Sequence, residues 1–299
     1  MIMMLLAAFR FNWMICKMAL TNNPNKSRRI ENKWYKEIDF RWGQFLIAVD
    51  KIPSSKIVLN IDDQEQFDID SFLAIFSLLA NQILLGGNDG EWQNEYQTLA
   101  YERSAERSVE QLIPLLTAEQ ILFISAFTGG SLLFLPSNRT ELNFLHKRAN
   151  SALTKWITSL ISEIDNITRN SFNKVPKKEF INLIKNRLNV SASRARSIAT
   201  TEVAQASQRA VTTQAKIMSE ALDTEVNVRW ITMNDSVVRH LHAGWHGLIF
   251  SPDQAEDNFN ISPWNCRCGL MPVIKHNETQ KVKERFAKER KFLLSTQRR

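Results

Sequence analysis

The sequence predicts a predominantly helical α+β chain, with a helical N-terminal region followed by a smaller α+β C-terminal domain. Three observations carry this. Only nine glycines occur in 299 residues, which disfavours a glycine-rich nucleotide-binding fold. Apolar residues recur at three- and four-residue steps through most of the chain, the signature of amphipathic helices. After Asp223 the apolar spacing changes to two, through Val226, Val228 and Trp230, as a strand requires. Hydrophobic content of 44% and charged content of 23% are ordinary for a globular chain long enough for one large or two modest domains.

Taken in order, residues 1–27 read as an N-terminal extension. Met1 to Lys17 is apolar but interrupted by Arg10 and Asn12, and is too short to span a bilayer. It lacks the basic start and small-residue cleavage site of a signal peptide, and the polar run from Met18 favours a true start there over a docking helix upstream. Residues 28–175 read as the helical region. A helix over Arg28 to Ile52 aligns Trp34, Ile38, Trp42, Phe45 and Val49, and Lys51-Ile-Pro-Ser-Ser breaks it. Asp68 or Asp70 caps an apolar helix that runs through Leu85 and stops at Gly86-Gly87. Trp92 to about Leu112 is a charged amphipathic helix, and Thr117-x-x-Gln120 opens another that reaches Gly129-Gly130. A long helix starts at Asn138-Arg-Thr-Glu141 and continues to about Arg169. Its apolar stripe is Leu142, Leu145, Ala149, Leu153, Trp156, Leu160 and Ile164, a core face.

Residues 176–274 make the C-terminal domain. A short basic helix spans Lys177 to Leu188, and Ser191 or Ser193 caps a separate helix from Arg194 to Ala210. Ala195, Ala199, Ala206 and Ala210 leave that second helix slim enough for close approach by a neighbour. Glu202 sits one turn after Ile198 on the same face, where an acid pairs with an arginine or caps backbone more often than it catalyses.

Chemistry concentrates between Trp230 and Cys268. Three of the five histidines, His240, His242 and His246, and two of the three cysteines, Cys266 and Cys268, fall there. Three cysteines cannot make a disulfide framework, and Cys-x-Cys neighbours bridge each other poorly, so a reducing compartment is expected. No phosphate-binding loop and no serine nucleophile elbow is present.

The order R-A-R-S-I-A-T-T-E-V, then W-I-T-x-x-D-x-x-V-R-x-x-H, then a glycine before an apolar pair, then P-W-N-C-R-C, resembles the phage Mu F-like head morphogenesis family. The resemblance covers roughly Ser191 to Val273. Its signature falls on Arg194, Arg196, Ile198, Thr201, Glu202, Trp230, Asp235, Arg239, His242, Gly247, Asn265, Cys266, Arg267 and Cys268. One departure is Thr200, where the family has an arginine, so any role of that charge is lost here. The resemblance implies a minor capsid protein of a tailed bacteriophage, not itself an enzyme. Such a protein would be made in the host cytoplasm and enter the prohead and virion near the portal. Its implied partners are the portal protein and capsid or scaffold components, with a hand in packaged double-stranded DNA and no membrane.

The signature supports two physical readings. In one, Cys266, Cys268 and His242 bind a structural Zn2+, with His240, His246 or Asp235 as fourth ligand. Members of the family that carry Cys-x-x-Cys in place of Arg239-x-x-His242 favour this, since cysteine and histidine exchange as zinc ligands. In the other, the cysteines are small buried residues, and Arg239, Asp235 and Glu202 form an ion-pair network.

Residues 275–299 form a basic tail with nine lysines and arginines against three glutamates, so six of the chain's seven net positive charges lie there. It reads either as a solvated helix with pairs such as Glu284 with Lys288, or as a DNA contact through Lys281, Lys283, Arg285, Lys288, Arg290 and Lys291. Two alternative functions remain on the residues alone. A metal-dependent nuclease or hydrolase would use His240, His242, His246, Asp235 and Glu202 around an open metal position. A zinc-stabilised DNA-binding module would lack the second Cys or His pair at finger spacing.

Overall fold

The structure is a computed structural model describing residues 28–51, 58–61, 64–87, 92–127, 136–171, 174–175, 177–233, 235, 237–261, 264–274 and 279–296. The expectations for Met1 to Lys17, for Met18 and for the Gly129-Gly130 stop lie outside them. The described residues form two compact units that interleave along the chain.

The first unit comprises Glu31–Glu95 and His146–Ala199. Helix α1 (Arg28–Asp50) buries Trp34, Ile38, Trp42 and Phe45, as the spacing predicts. Trp42 lies 5.9 Å from Trp156 of α5 (Pro136–Ser171), and Phe45 meets Phe76 edge-on at 5.1 Å. A hairpin of β1 (Val58–Ile61) and β2 (Gln64–Phe67) follows, antiparallel from Val58↔Phe67 to Ile61↔Gln64. The sequence reading has no hairpin here, because Q-E-Q-F offers neither alternation nor β-branched residues. Helix α2 (Ile69–Leu79) is capped by Asp68, whose carboxylate accepts from the Ser71 N–H at 3.0 Å. It runs on as a π-turn, Ala80–Leu84, and ends where Gly86 and Gly87 take φ of 86° and 66°, values that glycine adopts without strain.

Helix α6 (Lys177–Leu222) is one element of 46 residues, so the expected break between Leu188 and Arg194 does not occur. No glycine or proline lies within it, and a serine inside a helix costs only a few tenths of a kcal/mol relative to better formers, roughly. Ser191 is instead a buried helix position.

The second unit comprises Tyr96–Leu145 and the chain from Thr200 onward. Helix α3 (Asn94–Leu112) contributes Ala100, Tyr101, Ala105 and Leu112 to its interior. Helix α4 (Ala118–Phe127) opens with a reciprocal capping box. The Thr117 N–H donates to Gln120 Oε1 at 2.9 Å, and the Gln120 N–H donates to Thr117 Oγ1 at 3.2 Å. The C-terminal half of α6 runs through the middle, and from Ile198 to Ala215 every residue but Arg209 is buried.

The three-stranded sheet has order β4-β3-β5, all antiparallel, with β3 (Val226–Ile231) at its centre. Strand β5 (Gly269–Ile274) pairs along the full length of β3, from Val226↔Ile274 to Ile231↔Gly269, and β4 (Ile249–Phe250) pairs with Val228 and Arg229. Val228 and Trp230 enter one core cluster with Ala204, Val211, Ala215 and Met218 of α6 and with Phe259 of α8 (Pro252–Ile261). Helix α8 opens on a second capping box, Ser251 with Gln254. Its Glu256 then accepts from Thr212 at 2.6 Å and from Lys216 at 3.2 Å. Helix α9 (Gln280–Thr296) buries Phe286 and Leu293 and lays the Phe286 ring against the Arg229 guanidinium, 4.5 Å from centroid. Among the described residues, no helix is long and apolar enough to cross a membrane.

Candidate functional site

The site starts from α6. Thr201 and Gln208 are seven residues, two turns, apart and therefore share a face. The Asn265 N–H donates to Thr201 Oγ1 at 2.9 Å, and Gln208 Nε2 donates to the Cys268 carbonyl at 2.7 Å. The helix thus grips the Asn-Cys-Arg-Cys loop at both ends. Asn265 has φ of 54°, a left-handed conformation that asparagine tolerates better than most residues, which accounts for its place in the signature. Arg267 Nη2 reaches both oxygens of Asp235 at 2.9 and 3.2 Å, and Arg239 donates to the Trp264 carbonyl. Two polar ties therefore pin the segment before the short helix α7 (His240–Trp245) to the loop.

Helix α7 carries His242, which is 1% exposed. Its ring stacks on Trp245 at 5.2 Å and meets Trp230 edge-on at 5.4 Å. This aromatic seat fixes the ring so that Nδ1 faces both cysteines, 3.5 Å from Cys266 Sγ and 3.6 Å from Cys268 Sγ. The three donor atoms lie within 4.8 Å of one another, and all three residues are buried. His242 Nε2 is buried without a hydrogen-bond partner. The two thiols share one proton unequally. A hydrogen bond from Cys268 and then His242 hold the Cys266 thiol down to about 5, against burial that pushes it up. Donating that bond, and burial, push the Cys268 thiol well above its ordinary value. A buried thiolate–thiol–imidazole set is a soft donor set for a thiophilic divalent cation.

The other sequence-predicted positions go elsewhere. Among the described residues, no carboxylate or further histidine joins the three donors. His246 Nδ1 accepts from the Thr232 N–H at 3.1 Å, so its neutral ring carries the proton on Nε2 and donates it to Glu289 at 3.1 Å. His240 is exposed, and Asp235 is held by Arg267. Glu202, 1% exposed, accepts from Gln97 at 3.4 Å. Arg194 and Arg196 belong to the first unit, where Arg196 pairs with Asp39 at 2.5 Å and Arg194 donates to Ser159 at 3.4 Å. In α9, Lys281, Lys283, Lys288 and Lys291 are exposed. Arg285 instead pairs with Glu289 at 2.8 Å, and Arg290 donates to the His246 carbonyl at 3.1 Å.

Residues 167–271 match the family described as Phage Mu protein F like protein. Over this region the chain is similar to the Mu F-like family. No curated protein and no solved structure matches the chain. The Mu F-like region runs from the end of α5 into β5, so α9 lies beyond it although it packs in the same unit as that region from Thr200 onward. Gly247, with φ of 77°, is the signature glycine, and its N–H donates to the Trp230 carbonyl at 2.8 Å. Sequence reasoning misses Gln208, Glu256, Phe286 and Glu289 as supports of the Mu F-like region. Of these only Gln208 leaves a trace in the sequence, its seven-residue offset from Thr201.

The hydrogen bond that Glu289 accepts from His246 makes stability depend on pH. Burial pushes the Glu289 carboxyl up, but hydrogen bonds from His246 and Arg285 outweigh it, so its pKa is lowered in the folded chain. A carboxylate with a depressed folded pKa adds stability above its unfolded value and loses it as pH falls through the folded value. Glu289→Gln should therefore lower stability at neutral pH and flatten the loss between about pH 5 and pH 3. Chemical denaturation of both proteins across that range reads the difference. Parallel curves would place the acid sensitivity on other groups.

Proposed function

We propose that this chain is a minor head protein of a tailed bacteriophage, acting in prohead assembly close to the portal and touching packaged DNA. The observation that carries the reading is the Mu F-like match over residues 167–271. Around that region the fold is what a scaffolded structural part needs. The signature residues mostly hold elements together: Thr201 with Asn265, Asp235 with Arg267, Arg239 with the Trp264 carbonyl.

Quantitative mass spectrometry of proheads and mature particles tests the structural role. A few copies per particle is the expected result. Absence from both would remove the reading. The portal contact is tested by chemical crosslinking of proheads, which should join this chain to portal subunits.

The DNA contact is supported by the lysines that α9 turns outward, Lys281, Lys283, Lys288 and Lys291. Deleting α9 would be a poor test, since Phe286 and Leu293 are buried and Glu289 holds His246. Changing those four lysines to glutamine leaves the buried face intact. Each phosphate left without its lysine should reduce the slope of log affinity against log salt by about 0.9. Four together should lower affinity for duplex DNA roughly a hundredfold or more near 0.15 M salt. Unchanged binding by the quadruple variant would remove α9 as the DNA surface.

A metal-dependent nuclease is the second reading, and the acids it would need are engaged otherwise, Asp235 with Arg267 and Glu202 with Gln97. Incubation with DNA and divalent metals should leave the DNA uncut.

A further inference from the structure

We propose that His242 Nδ1, Cys266 Sγ and Cys268 Sγ bind one Zn2+ in a tetrahedral centre that closes the Cys-x-Cys loop onto α7, with a water from the adjoining cleft as fourth ligand. This proposal stands on the cluster's own geometry and does not depend on the head-protein reading.

The distances carry it. Zinc takes sulfur at about 2.3 Å and imidazole nitrogen at about 2.0–2.1 Å in a tetrahedral shell. In such a shell a nitrogen and a sulfur that share the ion are separated by about 3.6 Å, the edge of the tetrahedron. The two edges here are 3.5 and 3.6 Å. One ring nitrogen stands equidistant from two sulfurs, which an ion bound by all three explains directly. A single N–H or lone pair shared between two thiols is a weaker account of equal edges.

The surroundings are arranged for a fixed ligand set. Stacking on Trp245 and the edge of Trp230 hold the imidazole plane, and Gln208 holds the Cys268 carbonyl from α6. The donors are buried at 1, 2 and 4% exposure for His242, Cys266 and Cys268. Val226, Val228, Trp230 and Phe259 share the core cluster with the two cysteines, so a low-polarity shell backs the donors on their buried side. Small apolar residues would fill this volume without the cost of desolvating three polar groups.

The fourth corner is set by what is missing. Among the described residues no fourth histidine, cysteine or carboxylate joins the three. All three residues line a small cleft whose other walls include Val237, Val238, Arg239 and Arg267. A water in that cleft would fill the fourth corner. Two thiolates and a neutral imidazole would cancel the charge of Zn2+, and binding would release protons from the thiols.

The experiment uses the full chain, purified under reducing conditions without chelator. Elemental analysis should find about one zinc per chain. Removing it and adding Co2+ should give the intense near-ultraviolet thiolate-to-cobalt absorption together with the visible bands of tetrahedral cobalt. Alkylation should spare Cys266 and Cys268 in the metal-loaded protein and reach them after chelation. Cys266→Ser with Cys268→Ser should abolish the thiolate absorption. Should that variant fail to fold, the cobalt spectrum of the unaltered chain still decides. Metal below a tenth of stoichiometry after supplementation, a cobalt spectrum without the thiolate band, or a Cys266–Cys268 disulfide in the reduced preparation would each overturn the proposal.

Discussion

Replacing Gly247 with alanine is expected to release α9 from the sheet and lower stability by about 2–5 kcal/mol, combining backbone strain with overpacking. Two independent faults meet at this position. Gly247 has φ of 77°, which a residue with a Cβ adopts only under strain. The new Cβ would also stand 2.4 Å from Phe286 Cβ and 2.7 Å from its Cγ, closer than carbon atoms approach. The obstacle is the root of the phenylalanine side chain, so a rotamer change cannot clear it and the helix itself must move. That displacement would carry the Phe286 ring off Arg229 and pull Glu289 from His246. Denaturation of Gly247→Ala, Phe286→Ala and the double variant makes a thermodynamic cycle. Removing the ring should recover part of the alanine penalty, so the double variant should cost less than the two singles added. Strict additivity would show that the ring atoms add nothing to the clash, leaving the Cβ contact and the backbone strain to carry the loss.

Trp230→Ala is expected to cost about 3–5 kcal/mol, enough to unfold the Mu F-like region of a marginally stable chain. The indole is fully buried near the end of β3, the central strand of the sheet. It meets Trp245 at 5.0 Å, His242 at 5.4 Å, and Phe250 and Phe259 at 6.5 Å each. Those rings come from α7, β4 and α8, so one deletion leaves a cavity against three elements at once. Trp230→Phe keeps most of the volume and should cost markedly less. Urea denaturation with limited proteolysis reads both effects. Equal loss in the two variants would put the cost on the indole N–H instead of on packing.

Much of this architecture is legible in the residues. The helix positions follow from apolar spacing and from local caps, Asp68 with Ser71 and Thr117 with Gln120, because those signals act over three or four residues. The β3 strand follows from Val226, Val228 and Trp230. The continuity of α6 is less legible, because Ser191 and Ser193 are residues of a type that often caps helices. A cap needs the chain to leave helical geometry, and with no glycine or proline from Lys177 to Leu222 nothing makes it do so.

The resemblance to the Mu F-like family and the clustering of cysteine and histidine were set by the sequence alone, since motif order and residue type need no coordinates. The signature already paired His242 with the two cysteines, but where His246 goes was decided by the tertiary structure. His242 and His246 are four residues apart, and an unbroken helix would put them on one face. Helix α7 ends at Trp245, and His246, with ψ of 123°, has left helical geometry, so its ring goes to Thr232 and Glu289 while His242 stays with the sulfurs. The same holds for Arg229. Alternation along β3 marks it as a solvent-facing residue, yet it is 3% exposed because Phe286, more than fifty residues later, covers it. Local patterns record the conformation of an element. What lies over each face depends on where distant elements return, and no short-range signal encodes that.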